Sequence, residues 1–137
     1  MNDKTLCPCG SGKTYEECCK IAHLDISAVK TAEQLMRSRY TAFTLANSDY
    51  LHISHHPSTR PKSKRDRDQN SAWAKSVVWL KLEIISTVEG MESDSVGRVE
   101  FKAHFLEKGK PNQIHENSSF SKKKGHWVYL DGCYDFQ

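Results

Sequence analysis

The sequence predicts an α+β fold: helices in the first half, then an antiparallel meander with the helices on one face of the sheet, all preceded by a small metal knuckle. Three observations point there. Apolar residues recur at helical spacing between positions 32 and 43, then alternate with polar ones between 96 and 106, so the period switches from 3.6 to 2 along the chain. Four of the five cysteines lie between Cys7 and Cys19. A length of 137 residues suits one compact domain with a short appended module, and the expected division is 1–22 for the knuckle and 23–137 for the rest.

Each element has a local reason. Thr31 can accept from a free backbone N–H and Gln34 can reach back, a capping box that opens a helix whose buried face is Ala32, Leu35, Met36, Tyr40 and Phe43. Asn47-Ser48-Asp49 starts a second, short helix that stops before Pro57. Residues 58–70 hold no large apolar side chain and read as an exposed loop, with at most a turn of helix. Strands are expected at 78–85, 96–106, 113–120 and 126–130, separated by turns at 89–94, 107–111 and 122–125. In the second strand Val99, Phe101, Ala103 and Phe105 alternate with Glu100, Lys102 and His104.

Composition narrows the function classes. The chain is polar, with 27% charged residues and a mean hydropathy of −0.68, yet its three Trp, five Tyr and five Phe suffice to centre a core. No run approaches the ~18–20 apolar residues of a membrane helix. The first twenty residues hold no apolar stretch of a secretory leader, so a cytoplasmic location is expected. A net charge of +3 is too mild to mark a nucleic-acid binder.

Thiols clustered in a reducing compartment point to metal before disulfides. Zinc takes four tetrahedral N or S ligands, and a closed four-thiolate site is structural because no position is left for water or substrate. Pro8 stiffens the link between Cys7 and Cys9, while Gly10 and Gly12 let the backbone turn sharply, and amides along Cys9-Gly10-Ser11-Gly12 can donate to the sulfurs. Side chains of adjacent residues diverge by about 100° in a helix. Cys18 and Cys19 therefore face one ion only where a helical turn is ending. Four thiolates with a dication carry about −2, and Lys4, Lys13 and Lys20 are placed to offset it. Three duller readings compete: free thiols, a strained vicinal Cys18–Cys19 disulfide, and a phosphate loop at Gly10-Ser11-Gly12-Lys13-Thr14. The last lacks the first glycine, since Cys7 stands there, and lacks a preceding strand.

Cys7-Pro8-Cys9-Gly10-Ser11-Gly12-Lys13, followed by Tyr15 and the Cys18-Cys19 pair, resembles the SEC-C zinc motif found at the C-terminus of the preprotein-translocase ATPase and on many unrelated bacterial proteins. The resemblance implies one structural zinc on Cys7, Cys9, Cys18 and Cys19; some members have His at the last place, which is Cys here. Leu35-Met36-Arg37-Ser38-Arg39-Tyr40-Thr41-Ala42-Phe43, His56-Pro57-Ser58 and Trp127-Val128-Tyr129-Leu130-Asp131-Gly132 are similar to the YchJ family of bacterial proteins. That similarity implies a nuclear-transport-factor-2-like (cystatin-like) cone, a curved antiparallel sheet closed by helices. The family has no established reaction. Some of its members carry a second SEC-C motif at the C-terminus, whereas this sequence shows one, at 7–19.

Cones of this kind often hold a pocket between sheet and helices. Tyr40, Arg37 or Arg39, His104, Glu116 and Asp131 are the polar residues that could reach it, with Glu116, His104 and Arg39 as the candidate catalytic set. An exposed rim, or a buried Glu–Arg pair, is the plainer reading of Glu116. His55-His56 ends a helix or, less simply, forms a second metal site; Cys133 is expected as a packed thiol. Arg60, Lys62, Lys64, Arg65 and Arg67 make a basic loop at 60–67, Lys122–Lys124 a basic turn, and Trp73 either clips the loop to the core or stacks on a base. The expected function is that of a zinc-binding adaptor, not an enzyme, docking Lys13, Tyr15 and Lys20 on a protein or ribosomal RNA partner. The alternatives are an enzyme or small-ligand binder using the concave pocket, and an RNA binder using the basic loop.

Overall fold

A computed structural model of the chain describes residues 2–133. Its regular elements are α1 (Cys19–Leu24), α2 (Ala32–Thr44), α3 (Ser48–Ile53), α4 (Lys64–Ser76), β1 (Val78–Glu89), β2 (Val96–Glu107), β3 (Lys110–Lys123) and β4 (His126–Cys133). Short 3-10 turns at Tyr15–Glu17 and Ile26–Ala28 flank α1.

The caps do what their residues dictate. Thr31 Oγ1 accepts from the Gln34 amide at 3.1 Å and Gln34 Oε1 accepts from the Thr31 amide at 3.2 Å, so α2 opens on a reciprocal capping box. Asn47 Oδ1 accepts from the Tyr50 amide at 3.1 Å and starts α3. The segment expected as a loop is instead largely helix. Ser63 accepts from the Asp66 amide, Lys64 and Asp68 pair at 2.8 Å one turn apart, and α4 runs on to Ser76. Its inward face carries Ala74 and Trp73 only in the last turns, so the first turns show no apolar period to read.

The sheet has order β1-β2-β3-β4, antiparallel throughout, a meander of hairpins. Two hairpins turn on two residues, Lys108-Gly109 and Lys124-Gly125, each with φ positive at both positions (53° and 78°, 53° and 84°). Such a turn matches the twist of the strands it joins and leaves no spare residues. Consequently β3 begins at Lys110, three residues before the expected start, and takes in Pro111, which pairs with Leu106. Pro111 is tolerated because the β4 pairing ends at Asn117, so its missing N–H faces no neighbour strand. Register shifts at Leu80 and Ile85 in β1, and at Leu130 in β4, bend the sheet around α2.

Val99, Phe101 and Ala103 of β2, Phe120 of β3 and Trp127 of β4 point to the helical side and form one core with Leu35, Met36, Tyr40 and Ala42 of α2 and Tyr50 of α3. Trp127, almost wholly buried, donates its indole N–H to the Lys30 carbonyl at 3.1 Å. Trp73 packs edge to face on both Trp79 and Phe105, which are tilted against each other, with ring centres 5.5–5.6 Å apart. Trp73 therefore clips α4 to the core. No helix among the described residues is long and apolar enough to cross a membrane.

Candidate metal centre

The N-terminal hook is a small hairpin. The Cys7 amide donates to the Lys13 carbonyl at 2.8 Å and the Tyr15 amide to the Thr5 carbonyl at 2.9 Å, with Leu6 and Thr14 bridged between them. Its tip turns on Gly10 and Gly12, at φ of 82° and 88°, where any side chain would be strained. The chain then enters the 3-10 turn at Tyr15–Glu17. Cys18, at φ −131° and ψ −109°, closes that turn and precedes the first residue of α1. Because Cys18 is not helical, it and Cys19 can aim at one point.

The Sγ atoms of Cys7, Cys9, Cys18 and Cys19 all lie within 4.8 Å of one another. Cys9 and Cys18 are 3.6 Å apart and Cys18 and Cys19 3.9 Å. Metal–sulfur bonds of about 2.3 Å in a tetrahedron place sulfurs about 3.8 Å apart, so the donor set fits a four-coordinate ion that favours thiolates. The protons of the thiols agree with this. Hydrogen bonds from Cys19 and Cys9 hold the Cys7 thiol far below its ordinary range. A hydrogen bond from Cys19 would lower Cys9 too, but its bond to Cys7 and its burial prevail and push it up to about 11. Bonds to Cys7 and Cys9, then burial, push Cys19 far up. Each thiolate formed raises the cost of ionising its neighbours, so four thiolates together require a cation among them.

The hook is fastened to α2 by residues that the sequence did not single out for this. Thr41 Oγ1, fully buried, sits 3.5 Å from Cys7 Sγ and is the hydroxyl placed to donate to a thiolate there. Arg37 donates to the Cys9 carbonyl at 2.6 Å and pairs with Glu33 at 2.9 Å. His23 Nε2 must donate to the Ser38 carbonyl, 2.8 Å away, since a carbonyl only accepts. Its Nδ1 then accepts from the Tyr15 hydroxyl at 2.7 Å. Burial keeps this imidazole neutral by lowering its pKa. The one legible signal was helical spacing, which puts Arg37 and Thr41 four apart on a single α2 face.

Several expected roles change. Lys4 is spent on Glu16 and Lys20 on Asp3, and the cation that bonds the cluster backbone is Arg37. Tyr15 turns its hydroxyl inward to His23 and offers none for docking. Arg37 faces the hook, not the cone interior. His104 lies on the outer sheet face, 3.2 Å from Glu83, because it alternates with inward Ala103 and Phe105. Asp131 and Cys133 are exposed on that outer face, paired with Ser119 and Asn117, so Cys133 is not a packed thiol. Arg39, Tyr40 and Glu116 do share a cavity between helices and sheet. Of the basic 60–67 stretch, Lys64, Arg65 and Arg67 belong to the first turn of α4. His55 sits edge-on to Tyr129 at 4.9 Å and His56 turns its Nδ1 to Ser58, so neither gathers metal ligands.

Comparison with known proteins covers both parts of the chain. Residues 31–132 match the family model described as YchJ, middle NTF2-like domain, and residues 5–20 match the SEC-C motif. A UPF0225 protein of Geobacter sulfurreducens is 42% identical over 127 residues, covering 93% of this chain and 78% of its own. The solution structure of a SEC-C motif containing protein from Rhodopseudomonas palustris is similar at a TM-score of 0.77 and 36% identity, over 95% of this chain and 98% of that one. The crystal structure of a SEC-C motif containing protein from Psychrobacter arcticus is similar at 0.73 and 28%, over 96% and 83%.

Proposed function

The chain belongs to the YchJ (UPF0225) family, and from that membership we propose that it is a zinc-stapled adaptor whose N-terminal hook docks on a partner protein. Zinc is the ion that the donor set suits best: four clustered thiols, no carboxylate and no position left open. A closed site of this kind does no chemistry on a substrate. Its use is to hold a short segment in shape without a core of its own.

The observation that carries this reading is the outward face of α1. Cys19 and Ala22 face inward, while Ile21 and Leu24, one turn apart, stand 51% and 77% exposed. Two large apolar side chains on a six-residue helix that is pinned by a metal cluster form a rigid contact for another protein. Charge favours protein over ribosomal RNA. Residues 1–25 hold Asp3, Glu16, Glu17 and Asp25 against Lys4, Lys13 and Lys20, and a zinc–tetrathiolate adds about −2. A phosphate backbone would meet a net negative hook.

The test compares wild type with an Ile21→Asp, Leu24→Asp variant as baits in a bacterial lysate, with and without ribonuclease, read by quantitative mass spectrometry and followed by binary binding with each purified protein. Expected is a set of proteins retained by wild type, insensitive to ribonuclease and lost on the variant, whose zinc content is unchanged. Equal retention on both baits, or retention that ribonuclease abolishes, overturns the proposal.

A further inference from the structure

The cavity between the helices and the sheet is independent of the hook. It measures about 350 Å³, which falls within the range of small-molecule sites. Its walls are aromatic: Tyr40 and Phe43 of α2, Trp73 of α4, Trp79 of β1 and Tyr129 of β4. The two indole N–H groups are already satisfied, Trp73 on Glu107 at 2.9 Å and Trp79 on the Ala74 carbonyl at 3.1 Å. What these rings present inward is apolar surface for a flat molecule.

Polar groups converge on the same space from two sides. From the helices come His52 of α3 and Arg67 of α4. His52 Nδ1 is the one buried side-chain nitrogen or oxygen among the described residues without a hydrogen-bond partner. A buried polar atom left unpaired is costly, and a ligand atom at this position would remove that cost. From the sheet comes Glu116, 4% exposed, which accepts from the Ser118 hydroxyl. Its carboxylate occupies the space that a side chain at position 132 would need, so Gly132 forms its cradle. Arg39 stands between the two, donating to the Leu51 carbonyl at 3.0 Å and to Ser54 at 2.7 Å, with its guanidinium 4.8 Å from the Tyr129 ring. The charged residues in the lining are Arg39, Arg67 and Glu116, so the cavity carries one net positive charge.

We propose that this cavity binds a small planar aromatic anion, its acidic group held by His52 and Arg67 and its far end donating a hydrogen bond to Glu116. The rings supply most of the contact, and the two polar ends set orientation. A neutral aromatic of the same shape would leave His52 Nδ1 and Arg67 without the anion, and a cation would meet two arginines.

The probe is 8-anilinonaphthalene-1-sulfonate, compared with its uncharged analogue N-phenyl-1-naphthylamine, each titrated into the zinc-loaded full chain while dye emission and tryptophan quenching are followed. Expected is one sulfonate site per chain, bound about tenfold or more tighter than the neutral dye, the effect of one charge-assisted hydrogen bond. Arg67→Ala, on the rim, removes that preference, and Ser71→Trp, which fills the cavity from α4, removes binding of both dyes. Circular dichroism and an unchanged melting temperature show that both variants fold. No binding by wild type, equal affinity for the two dyes, several sites per chain, or folded variants that bind like wild type would overturn the proposal.

Discussion

Thr41 shows how much a single buried hydroxyl does here. It belongs to α2 by sequence and to the candidate metal centre by position, 3.5 Å from Cys7 Sγ and shielded from water. Partners of metal ligands are worth about 10–100-fold in metal affinity. Thr41→Val keeps the shape and removes the donor, so competition with a chromophoric chelator should show zinc held about tenfold less tightly; an unchanged affinity would mean that the hydroxyl is incidental. His55 makes a second case. Burial above all, then Arg39, Arg60, His52 and His56, push its pKa down to about 3 from 6.5. The unfolded chain takes up this proton at higher pH than the folded one, so the contribution of His55 to stability is complete above pH 6.5 and is lost as pH falls toward 3. Allowing for its access to solvent, the loss amounts to about 2 kcal/mol. Denaturant titrations of wild type and His55→Gln between pH 4 and 7 should diverge, with wild type losing stability faster toward acid. Parallel curves would contradict this.

The elements differ in how openly the sequence declares them. The capping box at Thr31 and Gln34, the Asn47 start of α3 and the alternation in β2 were all legible, because each depends on neighbours close in sequence. The first turns of α4 were not. Its residues there are charged, and what holds it is the Ser63 cap and the Trp73 contact with β1 and β2, a tertiary fact. Strand ends depart from the local pattern where turns are tighter than composition suggests, as at Lys108-Gly109. The β1–β2 hairpin adds a constraint that no local pattern announces. Gly90, at φ 74°, accepts from the Ala32 amide at 2.9 Å, and a side chain on Gly97 would collide with the Gly90 backbone. Gly97→Ala should therefore lower stability by about 2–4 kcal/mol by pushing the hairpin off α2. Equilibrium unfolding measures it, and a loss below 0.5 kcal/mol or so would show that the hairpin gives way freely.

At the scale of the whole molecule, the four cysteines could be read from their spacing, and the cone from its resemblance. The join between hook and cone could not. Arg37, Thr41 and His23 lie 28, 34 and 15 positions from the partners they hold, Cys9, Cys7 and Ser38, and such pairings leave no periodic trace. The same join predicts what chelation does. Removing the ion should release residues 5–20 first, while β2 and β3 keep the protection of their paired backbone. Hydrogen exchange with and without a strong zinc chelator reads this directly; protection lost evenly across the chain would make the metal part of the global fold, and none lost would make it dispensable.

Zinc K-edge absorption on freshly purified, reduced protein, with the metal content measured on the same sample, bears most directly on the centre. One zinc per chain with four sulfur neighbours at about 2.3 Å is the expected result. A chain without stoichiometric metal whose hook remains ordered, or a zinc shell dominated by oxygen and nitrogen, would contradict it.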